Sequence, residues 1–199
     1  MNRRIPQIGA AVVAVTVFLF ALCLIVDFTF GSYFVCMFLP MGYILMAAGL
    51  RREAGEDRRV AADIALVFAA VYAVLILLVY FAQTTAVRLQ ELSPQAAALL
   101  DFKRGGLIFN YDLLGYGMMA LSTFFLGLSM KAEGKLDCWL KRLLMIHGVF
   151  FPGCFFMPMT GLFLNVGGET SRGGVIALVI WCVYFLPIGI LAYKHFSRY

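Results

Sequence analysis

The chain has 199 residues, of which 63% are hydrophobic and 14% charged, and its mean hydropathy is +0.91. A soluble domain is roughly 45 to 50% apolar and about 25% charged, so this composition excludes an ordinary soluble fold and indicates a protein that uses lipid as its solvent. The net charge of +5 comes from basic residues in short loops between apolar runs, and no motif supports nucleic-acid binding.

Six apolar segments are long enough to cross a bilayer, for which a helix needs about 20 residues. They cover residues 5–28, 33–50, 60–82, 107–130, 143–164 and 175–193. Arg3 and Arg4 mimic the start of a signal peptide, but the apolar run that follows contains no cleavage site, so we expect an uncleaved first helix. The sequence predicts an all-α polytopic membrane protein, a single domain over residues 1–199 with a bundle of six transmembrane helices.

The connection between the third and fourth segments is long and contains the sequence "SPQAAALLDF". Ser93 is a typical helix N-cap, and Pro94 suits the first helical position. We therefore expect a short amphipathic helix here, with Leu99, Leu100 and Phe102 lying on the membrane interface.

The basic residues divide unequally between the two sides of this map. Twelve of the 16 lysines and arginines fall at the termini, in the second-to-third loop or in the fourth-to-fifth loop. The opposite side holds only Arg88, Lys103, Arg104 and Arg172. Cytoplasmic loops carry the excess of Lys and Arg, so we predict a multi-pass protein of the cell membrane with both termini in the cytoplasm.

Polar residues concentrate on the predicted outer side, where Asn165 and Glu169 also lie. Asp112 follows Leu107 by five residues, which places it about 8 Å below a membrane boundary at Leu107. An ionisable group at that depth is most readily explained by function. We predict an outward-facing ligand site in which Arg88 balances a carboxylate, formed by Asp27, Tyr33, Gln83, Arg88, Asp112 and Tyr116. The alternative is a ring of hydrated interfacial residues.

His147 lies inside the fifth segment, near the level of Ser122 and Thr123 in the fourth. It is either a proton relay or a histidine that is hydrogen-bonded to a neighbouring hydroxyl or carbonyl group. His195, in the basic tail, is interpreted as a membrane-surface residue. The sequence contains no metalloprotease, serine hydrolase, nucleotide-binding or paired-histidine motif, so an enzyme is not favoured and no cofactor or metal is expected.

Four phrases spread over most of the chain resemble an uncharacterised group of small six-span membrane proteins of Gram-positive bacteria: "GSYFVCMFLPMGYILM", "LVYFAQTTAVRL", "NYDLLGYGMMALSTFF" and "WCVYFLPIGIL". The predicted architecture is also similar to that of the substrate-binding subunits of energy-coupling-factor vitamin transporters. In that family an A-x-x-x-A pattern on the first helix meets the transmembrane partner, and Ala10 and Ala14 have this spacing. The second resemblance implies a ligand bound from outside.

Three functions remain open at this point. The first is a small-molecule binding or transport subunit with a polar site near the extracellular end of the bundle. The second is a membrane sensor or assembly protein without catalysis, and the third is a lipid-modifying membrane enzyme that uses Asp112 or His147. The expected partners are membrane lipids, a small-molecule ligand, and a membrane protein partner or a second copy of the chain.

Overall fold

A computed structural model describes residues 4–161 and 172–198. Within these ranges the chain forms helices and no strand, and six helical spans are long and apolar enough to cross a membrane. Asn165 and Glu169, which the sequence placed on the outer side, lie outside the described residues. Large apolar side chains such as Val67 and Phe81 are more than 60% exposed, as expected where the solvent is lipid. The chain therefore has the structure of a multi-pass integral membrane protein.

The first span is helix α1 (Arg4–Ile25), and the second is formed by α2 (Thr29–Cys36) and α3 (Phe38–Glu53). The third is α4 (Arg59–Ala82), which continues into a π-helical turn (Gln83–Val87). A short helix α5 (Pro94–Leu100) and a 3₁₀ turn (Phe102–Arg104) precede the fourth span, α6 (Leu107–Ser129). The fifth combines α7 (Lys135–His147), α8 (Phe150–Phe156) and a 3₁₀ turn (Met157–Thr160), and the sixth is α9 (Arg172–Ser197).

The second and fifth spans differ from the apolar segments predicted for them. The second is interrupted at Met37, because Pro40 has no N–H to donate to the carbonyl group four residues earlier. The helix of the fifth span begins at Lys135, ahead of the predicted apolar segment 143–164. Its charged first turns are still helical because Leu140 and Leu144 are fully buried against the bundle.

Small residues allow the helices to approach closely. A side chain at Gly9 of α1 would collide with the backbone of α3 at Gly42, and one at Gly115 of α6 would collide with Ile76 of α4. Lipid supplies no hydrophobic drive between helices, so such contacts let van der Waals packing hold the bundle together. Ala10 is fully buried and Ala14 lies against Gly189 of α9, so the A-x-x-x-A pattern packs within the bundle.

The start of α1 and the end of α9 lie at the same end of the bundle. The Gln7 side-chain amide of α1 donates a hydrogen bond to the Ser197 hydroxyl of α9 over 2.9 Å. We call this the His195 end. The opposite end, where α1 ends and α6 begins, is called the Asp27 end.

Candidate functional site

The loop after α5 folds into the Asp27 end of the bundle. Phe102 was expected on the membrane interface, but that expectation is wrong, since only 2% of the residue is exposed. Its ring lies 5.8 Å from that of Tyr33, 6.3 Å from that of Tyr80 and 5.2 Å from that of Phe109. Burial of an aromatic ring lowers the free energy more than its placement at the interface does, and this loop is long enough to place Phe102 inside the bundle. Phe102 therefore covers an aromatic layer formed by three helices.

Gln83 holds this loop in place. Its side-chain nitrogen donates to the Leu100 carbonyl group over 2.7 Å, and its side-chain oxygen accepts from the Phe102 backbone N–H over 3.1 Å. Gln83 is buried, so these two bonds satisfy an amide and two backbone groups that water would otherwise have to reach. The capped helix α5 before this loop is as predicted, because the Ser93 hydroxyl accepts a hydrogen bond from the Ala96 N–H.

The π-helical turn separates Arg88 from the buried polar residues of α4. A π turn carries an extra residue and shifts the side chains that follow it around the helix axis. Gln83 and Thr84 are consequently buried, whereas Arg88 is exposed. Its Nε donates to the Thr84 carbonyl group over 3.1 Å, and its guanidinium group lies 4.8 Å from the centre of the Phe30 ring.

Asp27 is an exposed residue that ends α1. Its φ angle of 54° lies in the left-handed region, and it is the one residue other than glycine with positive φ among those described. The N–H of Phe28 bonds to the carbonyl of Cys23, and the N–H of Asp27 bonds to that of Leu24. This is the hydrogen-bond pattern of a Schellman C-cap, in which aspartate is one of the few residues that tolerate the left-handed position.

Asp112 lies inside the bundle. The residue is 4% exposed and lies five positions after the start of α6, within a helix long and apolar enough to span a membrane. Tyr116 follows Asp112 by four residues and so lies on the same face of α6. A carboxyl group in this setting can hold a cation, accept hydrogen bonds or exchange a proton, and each of these depends strongly on its charge.

Four buried tyrosines from three helices surround this region, and we call them the tyrosine cluster: Tyr33, Tyr72, Tyr80 and Tyr116. Ring centres are 5.6 Å apart between Tyr33 and Tyr80, and 5.8 Å apart between Tyr72 and Tyr116. The hydroxyl group of Tyr72 has no hydrogen-bond partner within the described ranges. A buried polar group in that condition is costly unless something else supplies the bond.

A second polar network lies deeper and is complete in itself. The indole N–H of Trp181 can only donate, so Nε2 of His147 accepts its bond of 3.1 Å and carries no proton. The proton is therefore on Nδ1, which donates to the Thr123 hydroxyl over 2.8 Å, and that hydroxyl donates to the Ala120 carbonyl. His147 is thus a neutral ring with both nitrogens bonded. Its role as a proton relay stays a prediction.

The structure divides the predicted site residues into two groups. Four of them are buried at the Asp27 end: Tyr33, Gln83, Asp112 and Tyr116. Asp27 and Arg88 are exposed, and no salt bridge joins Arg88 to Asp27 in the described part of the chain. Sequence reasoning missed Tyr72, Phe102 and Trp181. Tyr72 carried a usable signal, because it lies at mid-span, far from the interface where tyrosine is common.

The His195 end holds a further cluster of charged groups. His195 was expected at the membrane surface, but it is buried, with Nδ1 2.8 Å from Asp137 of α7 and Nε2 2.6 Å from Glu53 of α3. Both nitrogens can donate to ionised carboxylates only when the ring is protonated. Arg198 lies 3.8 Å from Asp137. The cluster joins the ends of α3, α7 and α9.

The chain was compared with protein-family models, with curated proteins and with solved structures, and it matches none of them.

Proposed function

We propose that this protein is a small-molecule binding or transport subunit whose site is formed by Asp112 and the tyrosine cluster. The observation that carries the proposal is the burial of Asp112, a residue that is 4% exposed within a membrane-spanning helix. Charged groups at such positions are expensive and are retained mainly where they bind or move something.

The proposed orientation puts the Asp27 end outside the cell membrane and the His195 end in the cytoplasm. It is supported by the distribution of charge, since twelve of the 16 lysines and arginines lie at the termini or in the two loops on their side. In this orientation a ligand reaches Asp112 from outside. The loop that carries Phe102 then lies between the outer solution and Asp112. This loop opens to admit the ligand.

The resemblance to substrate-binding subunits of energy-coupling-factor transporters belongs to this proposal. A subunit of that kind binds its ligand from outside and depends on a membrane protein partner for transport. Because Ala10 is fully buried, a partner of this chain would contact another face of α1. The lipid-facing side of α1 is apolar and includes Val15 and Phe18, which are each 57% exposed.

A thermal-shift screen of the detergent-solubilised protein tests the proposal. Metabolites and lipids are added in turn, and a saturable rise in the unfolding temperature is expected for at least one metabolite. The shift should be lost in Asp112→Asn, which keeps the shape of the side chain and removes its charge. It should persist in Glu91→Gln, which removes an exposed carboxylate at the same end.

Three outcomes would contradict the proposal. A shift that survives in Asp112→Asn would place the ligand elsewhere. A stoichiometric protein partner that copurifies, without any effect of metabolites, would favour a sensor or assembly protein. Turnover of a labelled lipid that depends on Asp112 or His147 would favour a membrane enzyme.

A further inference from the structure

A groove runs along the lipid-facing side of α1. Every third or fourth residue of that helix from Arg4 to Leu19 lines it, so its floor is one continuous helix face. Its walls include Phe34 and Phe38 of the second span, whose ring centres are 5.3 Å apart, and Tyr193 of α9. Neither Asp112 nor the tyrosine cluster lines this groove. It is therefore separate from the site of the proposed function.

The groove has the length of one lipid leaflet. Leu19 follows Arg4 by fifteen positions, which is about 22 Å along a helix axis. A bilayer with its headgroups is about 40 to 45 Å thick, so one leaflet measures about 20 to 22 Å. Arg4 is the first residue of α1, at the level of the headgroups, and Leu19 then lies close to the middle of the membrane.

The width of the groove suits a hydrocarbon chain better than a helix. Its volume of about 670 Å³, spread over about 22 Å, corresponds to a channel about 6 Å across. An extended hydrocarbon chain fits this width, because its carbons approach neighbouring carbons to about 4 Å. A helix with its side chains is about 10 Å across and does not enter.

Arg4 supplies a positive charge where the groove begins. It forms no salt bridge with any residue in the ranges that the structure describes, and its side chain is exposed. The next polar residue of the groove, Gln7, donates its side-chain amide to Ser197. Guanidinium groups bind phosphate through two parallel hydrogen bonds, so Arg4 suits the phosphate of a lipid headgroup.

We propose that this groove binds one anionic phospholipid, with its phosphate on Arg4 and one acyl chain along α1 as far as Leu19. The chain covers apolar side chains that the bundle leaves open, among them Ile8 and Val15, which are 56% and 57% exposed. The second chain stays in the bilayer. An anionic headgroup is favoured over a zwitterionic one because basic sites between membrane helices attract net negative charge.

Native mass spectrometry of the detergent-solubilised protein counts the lipids bound at each lipid concentration. Palmitoyl-oleoyl phosphatidylglycerol and palmitoyl-oleoyl phosphatidylcholine have the same chains and differ in net charge, and glycerol phosphate has the anion without chains. We expect one saturable site for phosphatidylglycerol, about fivefold weaker binding of phosphatidylcholine, and no saturable binding of glycerol phosphate. Equal affinity for the two lipids would overturn the choice of an anionic headgroup, and tight binding of glycerol phosphate would overturn the role of the chain.

A pair of arginine variants tests the headgroup contact. Arg4→Gln should lower the affinity for phosphatidylglycerol to that for phosphatidylcholine, because the charge that distinguishes them is gone. Arg52→Gln is the matched control, since Arg52 is an exposed arginine at the same end of the bundle and does not line the groove. A preference for phosphatidylglycerol that survives in Arg4→Gln would place the headgroup elsewhere.

A pair of valine variants tests the position of the chain. Val15→Trp fills the groove and should weaken binding of both lipids by about tenfold. Val67→Trp, at a lipid-facing valine of α4 that is 63% exposed, should bind as the parent does. If Val15→Trp unfolds at a lower temperature than the parent, the smaller change Val15→Phe takes its place. Unchanged lipid binding in the groove variant would overturn the proposal, as would crosslinking of a photoreactive side chain at Val15 to a protein instead of a lipid.

Discussion

Replacing Gln83 by leucine removes both hydrogen bonds that hold the loop after α5 against the bundle. The leucine side chain has a similar volume and keeps the apolar contacts. The Leu100 carbonyl group and the Phe102 N–H then face a methyl group instead of the amide that lies 2.7 and 3.1 Å away in the parent.

The size of the effect follows from these two groups. A buried donor or acceptor left without a partner costs about 1 to 3 kcal/mol. The loop lies at one end of the bundle, and water that enters with an open loop recovers part of this cost, so we expect about 2 to 4 kcal/mol for the pair. At 1.4 kcal/mol per factor of ten, the open form becomes about 30 to 700 times more populated.

Hydrogen exchange measured by mass spectrometry on a peptide that covers Phe102 tests this expectation. When opening and closing are fast, the exchange rate follows the population of the open form, so the Phe102 amide should exchange faster by about the same factor. Gln95→Leu is the matched control, because Gln95 is an exposed glutamine of α5, the helix that precedes this loop. Equal exchange in the parent and in Gln83→Leu would refute a role for Gln83 in closing the loop.

Three further changes test contacts elsewhere in the bundle through thermal or denaturant unfolding in detergent. Tyr43→Phe removes a hydrogen bond of 2.8 Å to the Ser122 hydroxyl and should cost about 1 kcal/mol, and an unchanged midpoint would contradict this. Gly9→Ala places a Cβ 2.7 Å from a backbone oxygen of α3 and should cost about 1 to 3 kcal/mol, whereas Gly173→Ala, with no described atom within 4 Å, should be neutral. His195→Ala leaves the Asp137 and Glu53 carboxylates without their shared donor and should lower the free energy of unfolding by about 2 kcal/mol, less than expected for a fully buried ion pair. Raising the pH until the His195 ring loses a proton should destabilise the parent but not the variant.

The lengths of the apolar runs predicted the six spans and the helical class because both depend on local composition. A run of about 20 apolar residues has few alternatives in lipid, where every backbone group must be bonded within the segment. The cap of α5 was equally local, since Ser93 and Pro94 act on the residues next to them. The fifth span shows the limit of this reasoning, because Leu140 and Leu144 extend the helix through contacts with other helices.

The candidate site was predictable only in part, because its geometry depends on contacts between distant segments. A regular helix would have placed Arg88 on the same face as Thr84, four residues earlier, and the π turn moved it away. Phe102 and Trp181 come from segments far apart in sequence, and no pattern within either segment shows that they approach the tyrosine cluster. Asp112 could be identified as a candidate from the sequence because a carboxylate within an apolar run is rare.

The neutral state of His147 has an electrical consequence. A unit charge that crosses the full bilayer gains or loses about 2.3 kcal/mol per 100 mV of membrane potential. The network of Trp181, His147 and Thr123 carries no net charge, so the membrane potential does no work on it when α7 and α9 shift relative to α6. Protonation of His147 would add a gating charge to this part of the bundle. The hydrogen bond from Trp181 opposes that protonation, because it occupies the lone pair that would accept the proton.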